Sequence, residues 1–196
     1  MNFFTKSTKW LKKEWQKKSF RVFLVVNVLL CFLLTAENIG LFSSGVLRAL
    51  RYDLLLAALA VIAWIDRRSK RIPNSILLAM IPIRLIFLAL EWILYPDMGL
   101  AMFISSVMGA LIGGGLFLLC YFLTRGGIGM GDVKLFAVVG LYVGSGVVMT
   151  MVFLSVVASA VYSIIQLLRK KTKLKDEIPF APFIWIGLIL AMAIGM

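Results

Sequence analysis

Apolar residues fill seven long stretches of the chain, at about 22–42, 50–66, 74–95, 98–123, 133–145, 147–168 and 180–196, separated by short polar or glycine-containing joints. Most approach the roughly 20 residues that a helix needs to cross the hydrocarbon layer of a bilayer, so each predicts a spanning helix. The fifth is short for a full crossing, and Gly144-Ser145-Gly146 at its end predicts a tight turn into the sixth. Ahead of the first stretch, residues 1–21 are polar and Lys-rich. Phe4, Leu11, Trp15 and Val22 recur there at near-helical spacing, while Lys6, Lys9, Lys12, Lys13 and Lys17 fall largely elsewhere, the pattern of an interfacial amphipathic helix. A signal peptide is the competing reading, but the basic region is long and Leu34-Thr35-Ala36-Glu37 makes a poor small-residue cleavage site. The expected organisation is an amphipathic basic segment at 1–21, a retained membrane anchor at 22–48 and a six-span membrane domain at 49–196. Together these make an all-α, polytopic transmembrane bundle of about six to seven spans, with no internal repeat or second soluble domain.

Composition supports that class. Hydrophobic residues make up 62% of the 196 and charged ones 15%, against roughly 45–50% and about 25% in soluble domains, which excludes a water-soluble globular protein. The net charge of +12 raises the question of nucleic acid, but the basic residues cluster in short runs between apolar stretches. Anionic membrane lipids are the better partner, and nucleic acid is not expected. The N-terminal segment, Arg67-Arg68-Ser69-Lys70-Arg71, the joint at 125–134 and the run Arg169-Lys170-Lys171-Thr172-Lys173-Leu174-Lys175 fall on one side of the predicted bundle. That side is expected to be cytoplasmic. The other side carries Glu37, Glu91 and Asp97, with Arg48, Arg51 and Asp53 as the basic-containing exception. There is no histidine, and Cys31 and Cys120 sit singly in apolar stretches. Zinc, iron-sulfur and His-based chemistry are thereby disfavoured, and no metal or cofactor is expected.

Among nine acids, Asp66 and Asp132 stand out because each lies where an apolar stretch meets a predicted cytoplasmic joint. An ionisable residue at membrane depth costs roughly 2.5–3.5 kcal/mol on insertion scales, so it usually faces the bundle interior and acts on something. Asp66 alone reads equally well as an interfacial charge beside four basic neighbours. Asp132 ends Gly126-Gly127-Ile128-Gly129-Met130-Gly131-Asp132, four glycines ahead of an acid and an apolar helix. Such a stretch turns sharply and lets a chain or another helix approach the carboxylate. A purely structural turn is the plainer alternative. A phosphate-binding loop is not supported, since its spacing and terminal Lys-Ser/Thr are missing.

Three blocks carry a resemblance to the type IV prepilin peptidases, membrane aspartic proteases with a Gly-x-Gly-Asp motif. Asp66-Arg67-Arg68-Ser69-Lys70-Arg71-Ile72-Pro73-Asn74 is similar to the family's aspartate followed by Ile-Pro-Asn. Gly129-Met130-Gly131-Asp132-Val133-Lys134-Leu135 resembles its second catalytic block. Ile178-Pro179-Phe180-Ala181-Pro182-Phe183 is similar to a Pro-Phe-Gly-Pro-Phe element opening the last helix, with Ala181 where the family usually has Gly. The likeness covers roughly residues 50–196. It implies that Asp66 and Asp132 are the catalytic pair of an endopeptidase. The enzyme would remove the short basic leader of prepilin-like or preflagellin-like proteins, just before their apolar helix, at the cytoplasmic face. Pro73, Asn74, Gly129, Gly131, Lys134, Pro179, Phe180 and Pro182 are expected to shape the active-site loops or position substrate. Many bacterial relatives also methylate the new N-terminus and carry paired Cys-x-x-Cys motifs in an insert. This chain lacks both cysteine motifs and insert, so it resembles the short members and methyl transfer is not expected.

The residues agree with a paired-acid mechanism. Two carboxylates sharing a site do not both ionise cheaply, so one stays protonated while the other activates water. Asp66 ends a predicted helix and Asp132 begins one, so the helix dipoles suggest Asp132 as the resting anion. Arg84, in the middle of the third stretch, is expected to pair structurally with Glu91, and Trp64 and Trp92 to anchor at the interfaces. Two other classes remain open. One is a small ion- or proton-coupled transporter, the other a non-enzymatic pilus or secretion assembly protein. Presenilin-type proteases share Gly-x-Gly-Asp but pair it with a Tyr-Asp and a Pro-Ala-Leu block, whereas here Asp66 follows Ile65 and no Pro-Ala-Leu is present.

Overall fold

The computed structural model describes residues 18–40, 45–125, 127–169 and 178–195. The proposed amphipathic segment lies outside the described residues apart from 18–21, as do Gly126 and the basic run after Arg169 with Asp176 and Glu177. Among the described residues there are seven helices, one for each predicted stretch and within a few residues of its expected bounds. They are α1 (Lys18–Gly40), α2 (Val46–Ser69), α3 (Asn74–Leu94), α4 (Pro96–Leu123), α5 (Met130–Val143), α6 (Ser145–Leu168) and α7 (Ala181–Ala193).

Their ends follow from local chemistry. Helix α2 stops at Lys70, whose left-handed backbone (φ 49°) lets its N–H donate to the Asp66 carbonyl at 2.8 Å. Pro73 then caps α3 in an extended conformation, and Pro96 occupies the first turn of α4. Gly144 joins α5 to α6 at φ 82°, a conformation that L side chains rarely adopt. The predicted tight turn is therefore a single glycine.

Four helices, α1, α3, α4 and α6, are long and apolar enough to cross a membrane. The other three form the buried centre: α2, with six charged residues, and the short α5 and α7 of 14 and 13 residues. At 1.5 Å per residue these two span only about 20 Å, less than the hydrocarbon layer of about 30 Å. Non-helical chain at membrane depth is tolerated where it is buried or lines a wet cavity. The stretch that leads into α5 meets this condition, because its Gly129 lines the cleft described below.

Helices α4 and α5 touch backbone to backbone. A Cβ on Gly109 or on Gly140 would overlap the carbonyl oxygen of the other, and one on Gly113 would lie 2.6 Å from the Phe136 carbonyl. Small residues spaced by four let membrane helices approach this closely. Gly140→Val is expected to lower stability by about 3 kcal/mol, the upper end for overpacking, in thermal unfolding in detergent. Gly115→Val, whose Cβ meets nothing within 4 Å, is expected to leave the midpoint nearly unchanged.

Arg84 is fully buried and its pairing with Glu91 is structural, as expected. Its Nη1 donates to Glu91 Oε2 at 3.0 Å, its Nη2 to Ser106 Oγ at 2.7 Å and its Nε to the Leu141 carbonyl at 3.0 Å. Arg51 completes the set at 2.7 Å from Glu91 Oε1. The group ties α2, α3, α4 and α5 together at the end of the bundle away from Asp66, which lies fifteen residues, about 22 Å, further along α2. Trp64 does more than sit at an interface: its ring packs on Phe20 and Phe23 of α1 at 5.2 and 5.0 Å.

Candidate active site

Four helix ends meet at one end of the bundle: the last turn of α2 and the first turns of α3, α5 and α7. Between them lies a cleft of about 330 Å³ lined by Asp66, Lys70, Arg71, Ile72, Asn74, Gly129, Gly131, Asp132 and Lys134. Two acids separated by 66 positions of sequence thus share one cavity, Asp66 at 5% exposure and Asp132 half-buried in the first turn of α5.

The two glycines around Met130 have separate reasons. A Cβ on Gly129 would sit 3.1 Å from Asp132 Oδ2, so the first glycine makes room for the carboxyl. A Cβ on Gly131 would sit 3.2 Å from the Ile72 Cβ, so the second lets α5 close against the chain that leads from α2 to α3. The Gly-x-Gly-Asp and Asp…Ile-Pro-Asn blocks therefore meet each other through Gly131 and Ile72.

Of the expected positioning residues, Asn74, Gly129, Gly131 and Lys134 line the cleft. Pro73, Pro179, Phe180 and Pro182 do not: Pro73 caps α3, Pro182 lies in the first turn of α7, and Phe180 packs its ring on Phe117 and Phe136 at 5.7 and 6.0 Å. The proline-phenylalanine element holds the start of α7 in place. What it holds there is the Ala181 amide, which donates to Asp66 Oδ2 at 3.1 Å, with the Phe180 amide adding to it. Sequence reading attached no function to Ala181, because a backbone N–H carries no residue-type signal. It likewise passed over Lys70, Arg71 and Ile72 as lining.

Burial, and then the charge of Asp66, push the Asp132 carboxyl up to about 6. The expectation that Asp132 is the resting anion counted only the dipole of each acid's own helix. Burial raises the Asp66 carboxyl as well, but α7 begins there and its Ala181 and Phe180 amides oppose that rise, so the geometry favours the charge on Asp66 and the shared proton on Asp132.

Comparison with known proteins agrees with the blocks. The profile of the type IV leader peptidase family matches residues 54–164, which include both aspartates and end before α7. A prepilin leader peptidase/N-methyltransferase of Bacillus subtilis (strain 168) is 33% identical over 140 residues, covering 71% of this chain and 54% of that protein. One of Burkholderia pseudomallei (strain 1026b) is 31% identical over 139 residues, 68% of this chain and 42% of that protein. The chain thus spans about half the length of the curated relatives it matches. No solved structure matches.

Proposed function

The chain belongs to the type IV leader peptidase family, and on that premise we propose that it is an aspartic endopeptidase acting on prepilin-like or preflagellin-like proteins. It removes their short basic leader ahead of the apolar helix. The observation that carries this reading is the convergence of Asp66 and Asp132 in one cleft at the end of an integral membrane bundle. In the reaction, one carboxylate takes a proton from water as its oxygen attacks the scissile carbonyl. The other carboxyl gives its proton to the developing oxyanion. Collapse of the tetrahedral adduct breaks the C–N bond, and the proton taken from water passes to the leaving amine. The hydroxyl proton returns to the dyad, and both products leave with atoms balanced.

The cleft suits an extended substrate, since the chain leading into α5 and α7 is already non-helical there. Arg67, Arg68, Lys70, Arg71, Arg125, Lys134 and Arg169 gather at the same end of the bundle, which supports a cytoplasmic placement of the site in the cell membrane. A basic leader meets a basic rim, and anionic lipid headgroups are the proposed partners that screen the repulsion.

The test is incubation of the purified protein, in vesicles containing anionic lipid, with a prepilin-like substrate, reading the new N-terminus by mass spectrometry. A single cut between the basic leader and the apolar helix is expected. No cut in several such substrates would overturn the peptidase reading in favour of transport or assembly.

A further inference from the structure

We propose that the backbone N–H of Ala181 is the positioning group that assigns the two roles, making Asp66 the base that receives the proton of water and leaving Asp132 as the acid. This rests on the peptidase reading and adds to it a group outside the residues matched by the family profile, which end at 164.

Three observations carry it. The donor is aimed: Ala181 N lies 3.1 Å from Asp66 Oδ2, with Ala181 fully buried and Asp66 nearly so, in surroundings where an amide bond to a carboxylate is strong. The donor is also held independently of the acid. Phe180 is packed on Phe117 and Phe136, and Gly187 of α7 approaches Ser155 of α6 so closely that a Cβ would overlap the Ser155 hydroxyl. Trp185 donates its Nε1–H to Asn27 Oδ1 of α1 at 3.1 Å. The amide therefore stays in place before the reaction begins, as a preorganised dipole must. Third, the donation is one-sided: burial raises both carboxyls, but among the described residues the amide hydrogen bonds that oppose the rise on Asp66 have no counterpart on Asp132, whose carboxyl is pushed up further by Asp66.

Other charged groups around the pair do not decide the assignment. Lys70 and Arg71 follow α2, Lys134 follows Asp132 on α5, and Asn74 opens α3. The three cations are exposed, so solvent screens them from both acids. The start of α7 contributes no side-chain charge, only its amides.

A single-atom change tests the proposal. Cell-free translation with lactic acid at position 181 replaces the amide by an ester, which removes the N–H and weakens the Phe180 carbonyl as acceptor for the Phe183 and Ile184 amides, a loss read separately by thermal unfolding. Ala181→Gly keeps the N–H and serves as the conservative control. The acid limb of the kcat/KM profile reports the base. It is expected to move up by about one pH unit in the ester, the scale of losing one hydrogen bond to a carboxylate. kcat is expected to fall on the order of tenfold with KM unchanged, and Ala181→Gly to shift neither limb. An unmoved acid limb in the ester, or movement of the alkaline limb alone, overturns the assignment.

Infrared titration reads the same pair without substrate. The carboxyl band that titrates near 6 is expected to vanish in Asp132→Asn and persist, at lower pH, in Asp66→Asn. The ester is expected to raise the titration of the other carboxyl. A band that instead vanishes in Asp66→Asn overturns the proposal. Absence of cleavage by the native chain with the infrared pattern intact would remove the peptidase reading and leave the amide's control of the proton standing.

Discussion

Asp66→Asn and Asp132→Asn are each expected to lower the proposed leader cleavage by about 10²–10⁴-fold, the range for loss of a positioned acid or base, and the double variant is expected to be hardly worse than either single one. Groups that act as a unit are not additive: once one carboxyl is gone, the other has no partner with which to divide the proton. Processing of a co-expressed prepilin-like protein, scored by product size at equal membrane levels, reads this directly. Cleavage that survives either change would sink the paired-acid mechanism and leave an assembly role for the fold. Stability adds a second readout. Asp132 titrates near 6 in the fold, above the ordinary value of about 3.9, so the folded state binds more protons between those values. Stability therefore falls as pH rises from about 4 to about 6 and levels off beyond. Asn at 132 escapes that loss. Asp132→Asn is expected to unfold at a higher temperature than the native chain at about pH 7, and at nearly the same temperature at about pH 4. An inactive yet more stable protein is the signature of a carboxyl kept for chemistry rather than for folding.

Glu91→Leu is expected to cost about 3–5 kcal/mol, the scale for breaking a buried ionic set by removing one partner. Glu91 is the acid shared by Arg51 and Arg84 at 2.7 and 3.0 Å, and without it two guanidinium groups remain beneath the surface beside Ser106, the Leu141 carbonyl and the Tyr52 ring, with no carboxylate among their described hydrogen-bond partners. Glu91→Gln keeps one hydrogen-bond acceptor and is expected to lose less. Replacing Glu91, Arg84 and Arg51 together by Leu and Met is expected to restore most of the midpoint, since apolar groups of similar volume carry no desolvation penalty. Thermal unfolding in detergent measures all three. A Glu91→Leu midpoint within a degree of native would show that water reaches the guanidinium groups. Because the set lies about 22 Å along α2 from Asp66, variants that remain folded are expected to retain the cleavage site.

The helices were legible because a bilayer demands long apolar runs, and the joints because Gly144, Pro73 and Pro96 each have a backbone preference that acts locally. The two acids were legible because a charge at the end of an apolar run is costly to keep. Other features were not readable along the chain. That α2 and not a more apolar helix stands in the centre follows from its charges, Arg51 finding Glu91 and Asp66 finding α7, and those partners lie 40 and 115 positions away. The roles of the glycines were equally hidden: Gly131 reads as freedom to turn, whereas it is small because Ile72 lies against it. Nor could the chain show that Phe180 packs on Phe117 and Phe136, 63 and 44 positions away, at the start of the last helix.

The sequence by itself determined which segments are apolar helices, which two carboxyls lie at the ends of such runs and which family they belong with, because hydropathy and motif spacing are properties of the chain alone. Only the tertiary structure decided which acid receives the amides of α7. That choice depends on where the N–H of a third helix points, and every residue offers the same N–H until packing aims one of them.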